Sequence, residues 1–158
     1  MVKKAKQESE KNEGASRKER TGLPQVSLVA AIQYTKKAYD EIGSELKSFT
    51  GLAEAMGMNE AHAKRAFGEL KDQYGLIEQE GGGWKISELG RRASIGDKAA
   101  VIEMIQKAKI LGDLYNNLKD KKVSTDYISD FIKKKRYAYN IKIPHVTERY
   151  LEIMRYLG

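Results

Sequence analysis

Glycines at 57, 75 and 81–83 cut residues 48–93 into short pieces, and that spacing limits what the stretch can become. Thr50 is placed to cap a short helix, Gly51–Met56, which Gly57 ends by taking the left-handed backbone of a tight turn. Met58 then drops into a core, and Asn59 caps a second helix by accepting from its free N–H groups. On that helix Ala63, Phe67, Leu70 and Tyr74 recur at four, three and four residues, one apolar stripe ending at Gly75. Leu76–Glu80 and Trp84–Ile86 alternate apolar and polar around three glycines, the pattern of a β-hairpin. Ser87 restarts a helix through Leu89 and Arg92. Two helices joined by so short a turn cross steeply, and the first holds the second outward.

The flanks extend this unit. Val26, Val29, Ile32, Ala38 and Ile42 fall mostly three or four apart after Pro24, predicting an amphipathic helix that ends at Gly43. Lys36, Lys37, Asp40 and Glu41 would face water. Val101, Ile105, Ala108, Leu111, Tyr115 and Leu118 mark a helix over 98–119, with a kink expected at Gly112. Thr125 is placed to cap a helix to Lys134, and a last helix runs from His145 to Leu157 after Ile143-Pro144. The fold class is mainly α with a small β-hairpin. Its parts are an arm at 1–22, a domain at 23–96 and a helical C-terminal domain at 97–158.

Charge is uneven along these parts. Residues 1–22 carry seven basic and four acidic side chains, residues 23–97 nine and eleven, and residues 98–158 thirteen and seven, within a net charge of +7. Such an excess concentrates polyanions. The arm has one large apolar residue after Met1, Val2, and cannot repay the entropy of ordering. It reads as disordered, able to track phosphates through Lys3, Lys4, Lys6, Arg17, Lys18 and Arg20, or simply to solubilise. The densest basic run is Lys133–Lys142, in which Lys133, Lys134, Lys135 and Arg136 precede Tyr137 and Tyr139. As a loop between two helices it would neutralise phosphates and stack on bases, or else turn its tyrosines inward.

Catalytic chemistry finds little to use. The chain has no cysteine and only two histidines, His62 and His145, 83 residues apart, so neither a thiolate centre nor a zinc site is expected. Gly81–Gly83 joins two strands and lacks the strand-to-helix setting of a phosphate cradle. No enzyme activity and no cofactor are expected. With no secretory signal and no apolar run near the ~20 residues of a membrane span, a cytoplasmic, nucleoid-associated location without membrane contact is the expectation.

The string LAEAMGMNEAHAKRAFGELKDQYGLIEQEGGGWKISELGRR resembles the winged helix-turn-helix of prokaryotic transcriptional regulators. The likeness rests on Leu52-Ala53, Gly57-Met58, the Phe67/Leu70 stripe, Tyr74-Gly75-Leu76-Ile77 and Glu88-Leu89-Gly90-Arg91-Arg92. It covers about residues 26–95. The resemblance implies binding to double-stranded DNA, with helix 59–74 in the major groove and the hairpin along the backbone. Asn59 would start that helix at a phosphate, and Arg65 would contact a guanine edge. Lys64 and Lys71 would hold phosphates, His62 would donate to phosphate or base, and Lys85 would be the only cation of the wing. The regulator likeness also implies a homodimer through helix 98–118, against which ordinary core packing is the alternative.

Other features pull away from that reading. Glu60 and Glu69 are expected on the exposed face of the recognition helix, and Glu78 and Glu80 flank the wing tip, where arginine suits a minor groove. A protein-interaction adaptor on the same scaffold is therefore an alternative, and RNA binding through the Lys133–Lys142 loop is another. Finally, the last helix echoes the recognition helix at a shift of 83 residues. His62, Ala63, Phe67, Leu70, Tyr74 and Gly75 pair with His145, Val146, Tyr150, Ile153, Leu157 and Gly158. The support helix echoes less well at a shift of 75, with Leu52 to Tyr127 and Ala53 to Ile128. The echo suggests a second, wingless helix-turn-helix.

Overall fold

The computed structural model describes residues 23–122, 124–135 and 142–158. The arm at 1–22, with its phosphate-tracking cations, lies outside these residues, as do Arg136, Tyr137 and Tyr139. The described residues form eight α-helices and one two-stranded antiparallel hairpin. Helix α1 spans Leu28–Ile42, α2 Phe49–Met56 and α3 Glu60–Gly68, and α3 continues into a π-helical turn at Glu69–Gln73. Strands β1 (Ile77–Glu80) and β2 (Gly83–Ile86) follow, then α4 (Glu88–Ser94), α5 (Lys98–Lys107), α6 (Lys109–Leu118), α7 (Thr125–Lys135) and α8 (Ile143–Leu157). No helix among the described residues is long and apolar enough to cross a membrane.

Capping decides most helix starts, and two expected caps move. Ser48, not Thr50, caps α2, its Oγ accepting from the N–H of Gly51 at 3.0 Å. Ser124, not Thr125, does the same for α7 with Tyr127. In both cases a serine stands just ahead of the expected threonine and reaches the free N–H groups first. Asn59 caps α3 as its position predicts, accepting from His62 N–H at 2.8 Å. Ser87 caps α4 through Gly90 N–H at 3.0 Å.

The hairpin turns on Gly81 and Gly82 alone, both with positive φ, 56° and 82°. Two such residues make the tight turn whose twist matches that of the strands, and Gly83 is free to pair with Glu80. Lys47 adds a one-residue third strand. It exchanges backbone hydrogen bonds with Trp84 at 2.7 and 2.8 Å. Helix α4 then packs so closely on the hairpin base that a Cβ at Gly90 would stand 2.2 Å from the Leu76 carbonyl oxygen.

The break in the 98–119 helix falls at Ala108, not at Gly112. Ala108 is extended (φ −79°, ψ 135°) and separates α5 from α6. Gly112 lies inside α6, where a Cβ would sit 3.1 Å from the carbonyl oxygens of Ile105 and Gln106. Its missing side chain lets α6 fold back against the end of α5. Val101, Ile105, Leu111, Tyr115 and Leu118 are buried within the chain, so the stripe offered for a homodimer is covered by its own core.

One hydrophobic cluster runs through both halves, from Leu28 and Phe67 to Ile128 and Tyr150. In α1 the buried residues are Leu28, Ala31, Ile32, Thr35 and Ala38, while Val29 is only half-buried. Helix α8 packs on α6, α7 and α1.

Candidate nucleic-acid interface

Helix α3 buries a wider face than its apolar stripe predicts. Ala63, Phe67 and Leu70 are buried as expected, and so are Ala66 and Glu69. The expected exposure of Glu69 is thus corrected. Its side chain, 2% exposed, turns inward, and its two carboxylate oxygens accept from the N–H groups of Gln25 (2.7 Å) and Val26 (3.1 Å). The cause is local. The π-helical turn begins at Glu69, with Tyr74 N–H donating to Glu69 O at 3.1 Å, and the segment before α1 needs acceptors there.

Side chains also hold the rest of the Pro24–Val26 backbone. Pro24 has no N–H, and Glu69 takes those of Gln25 and Val26. Arg149 of α8 donates to the carbonyls of Pro24 (3.0 Å) and Gln25 (3.1 Å), and the Tyr74 hydroxyl donates to that of Val26. Buried backbone groups need such partners, and those of Pro24, Gln25 and Val26 find them in these side chains. Burial pushes the Tyr74 phenol well above its ordinary range; Arg149 opposes the shift, while Glu69 and Glu152 add to it.

What remains outside on α3 and its π-turn is a short polar strip. Glu60, Ala61, Lys64, Arg65, Gly68, Lys71, Asp72 and Gln73 are exposed. Three cations stand against two carboxylates, so withdrawal of Glu69 leaves the strip positive by one. Lys64 lies 3.8 Å from Glu60, and Lys71 3.9 Å from Asp72. Pairs this exposed are worth ~0–1 kcal/mol and release readily. Arg65 has no hydrogen bond or ion pair among the described residues. His62 is half-buried and packs edge-to-face on Tyr34, with ring centroids 5.5 Å apart.

The other expected contacts are dispersed. Trp84 of β2 packs at a tilt on Phe67, centroids 5.1 Å apart, and Phe49 joins them, which fixes the hairpin to α3. Lys71 lies 6.0 Å from the Trp84 ring centroid. Lys85 is tied to Glu80 at 2.7 Å. Their hydrogen bond holds the Glu80 carboxyl below its usual range and the Lys85 ammonium above its own. Lys133, Lys134 and Lys135 are exposed but belong to the last turn of α7, not to a loop. Cations there also suit the negative end of the helix. Sequence reasoning missed Arg149 and Tyr34. Nothing local in the chain signals a contact spanning 125 residues.

Between α1, α3 and α8 lies a cleft of about 590 Å³, lined among others by Ala30, Tyr34, His62, Arg65, Glu69 and Arg149. No group of three or more His, Asp or Glu side chains that could hold a metal ion occurs among the described residues. No protein-family model, curated protein or solved structure matches the chain.

Proposed function

We propose that this chain binds double-stranded DNA with the outer face of α3, as a transcriptional regulator built on a winged helix-turn-helix. One observation carries the reading: the strip from Glu60 to Gln73 is uncovered, and with Glu69 buried it is cationic. Support for the module comes from the order α2–turn–α3–hairpin–α4 and from the Lys47–Trp84 bridge that ties the hairpin to the segment before α2. In this reading Arg65 reads a base edge through two parallel N–H groups, while Lys64, Lys71 and the free N–H groups after Asn59 hold phosphates. Lys133–Lys135 add affinity without sequence preference.

The test is a salt titration of binding to random duplex, single-stranded DNA and RNA. Duplex should bind best, with a log–log salt slope of about −0.9 for each phosphate neutralised. A flat response, or preference for single strands, refutes the proposal; the latter would favour RNA. One observation favours a second reading, an adaptor for another protein. The wing exposes Glu78, Gln79 and Glu80, and its only cation is already paired with Glu80. An adaptor would hold its partner at high salt and leave duplex unshifted.

A further inference from the structure

We propose that the cleft between α1, α3 and α8 binds a small organic oxyanion, a carboxylate or phosphate ester on an apolar body, and that the bound anion takes Arg65 away from DNA. The second half rests on the DNA-binding reading; the first does not.

The cleft follows from the residues that meet there. Helices α1 and α3 line it with Ala30 and Ala66, and two methyl side chains leave room where larger ones would close it. Its volume, about 590 Å³, lies within the ~300–1,000 Å³ usual for small-molecule sites. Tyr34 and His62, packed edge-to-face, form one wall.

Charge selects the ligand. Arg65 comes from α3 and Arg149 from α8, while Glu69 is the only carboxylate among the described residues of the lining. Glu69 accepts two backbone N–H bonds with its two oxygens, so its charge is already met by donors. Arg149 uses two of its five N–H groups on the Pro24 and Gln25 carbonyls, and Arg65 uses none among the described residues. Two planar guanidinium forks at one cleft match the paired oxygens of a carboxylate or phosphate. The apolar body then rests on Ala30 and the Tyr34 ring, both half-buried. Since Arg65 is also the proposed base reader, one guanidinium cannot serve both.

The experiment uses NMR spectra of the full chain, without DNA, titrated with benzoate, hexanoate, phenyl phosphate and, as a neutral control, benzyl alcohol. The three anions should give saturable shifts at the Ala30 and Ala66 methyls and at the Arg65 and Arg149 side-chain N–H groups; benzyl alcohol should not. Arg65→Gln alters an exposed side chain and should weaken anion binding at least tenfold. Ala30→Leu, which narrows the cleft, should do the same. No saturable shift, or binding unmoved by Arg65→Gln, overturns the site. In a second arm, saturating benzoate should weaken duplex affinity about tenfold in the unmodified chain. Unchanged duplex affinity overturns the regulatory half alone. Anion binding in a chain that binds no duplex sinks the DNA reading and the regulatory half, and upholds the site.

Discussion

Helices α3 and α8 bury nearly the same stripe and use their polar residues in opposite ways. Ala63, Phe67 and Leu70 are buried on one, and Val146, Tyr150 and Ile153 on the other. The residues between differ. Where α3 has exposed Lys64, α8 has buried Thr147, whose hydroxyl donates to the Ile143 carbonyl. Where α3 has Arg65, α8 has Glu148. Where α3 has buried Ala66, α8 has Arg149, committed to the Pro24–Gln25 backbone. The apolar stripe seats a helix against a core; only the polar positions say whether the outer face is kept for a partner. Of the two arginines of α8, Arg149 is bonded to its own chain, and the position matching Arg65 is the carboxylate Glu148, so the proposed DNA contact belongs to α3.

Four changes test that contrast, beginning with the largest expected effect. Glu69→Leu strands two backbone N–H groups at the start of α1. At ~1–3 kcal/mol for each unsatisfied group, it should cost about 3 kcal/mol in urea unfolding. A loss below about 1 kcal/mol would mean that the pinned segment does not hold α3 in place. Next, Arg65→Ala should lower the preference for a selected duplex over random duplex by roughly tenfold, within the ~1–3 kcal/mol of a bidentate base contact. Glu148→Ala, at the echo position, should leave that preference unchanged, and equal effects from the two would erase the distinction.

The third change concerns alkaline stability. The Tyr74 phenol is raised in the folded chain by burial, so the folded form resists ionisation that the unfolded chain allows. Tyr74 therefore contributes its full stability below about pH 10 and loses it as pH rises above that, by up to ~1.4 kcal/mol per pH unit. Tyr74→Phe should reduce this slope by as much as one proton. Tyr150 of α8 is raised too, again chiefly by burial, so Tyr74→Phe with Tyr150→Phe should reduce the slope further than Tyr74→Phe alone. Smallest is the cap. Asn59→Ala should cost about 1 kcal/mol, whereas Lys142→Ala should cost almost nothing, because Lys142 makes no side-chain cap bond to α8.

Much of the fold was legible because local chemistry writes it. The glycine turns, the Asn59 and Ser87 caps and the Phe67/Leu70 stripe each act within a few residues. The misplaced features have different causes: a better-placed serine nearby, a partner distant in sequence, or a close packing contact. Glu69 read as a solvated carboxylate because the N–H groups it serves lie 43 and 44 residues away. Gly112 read as a hinge because its role is close packing against Ile105 and Gln106. The candidate site was legible as far as α3 itself. Its cleft was not, since Arg149 meets the start of α1 only after the chain has folded. The echo at a shift of 75 holds for one pair and not the other: Ala53 and Ile128 are both buried, but Leu52 is buried where Tyr127 is 48% exposed.

The most direct test of α3 as the DNA-contacting helix is an amide NMR titration of the full chain with a short duplex at low salt. Shifts should concentrate at Asn59–Gly68 and Lys71, while residues 150–157 of α8 stay unmoved. Shifts confined to α7 or α8, with Asn59–Gly68 unperturbed at saturating duplex, would contradict the account.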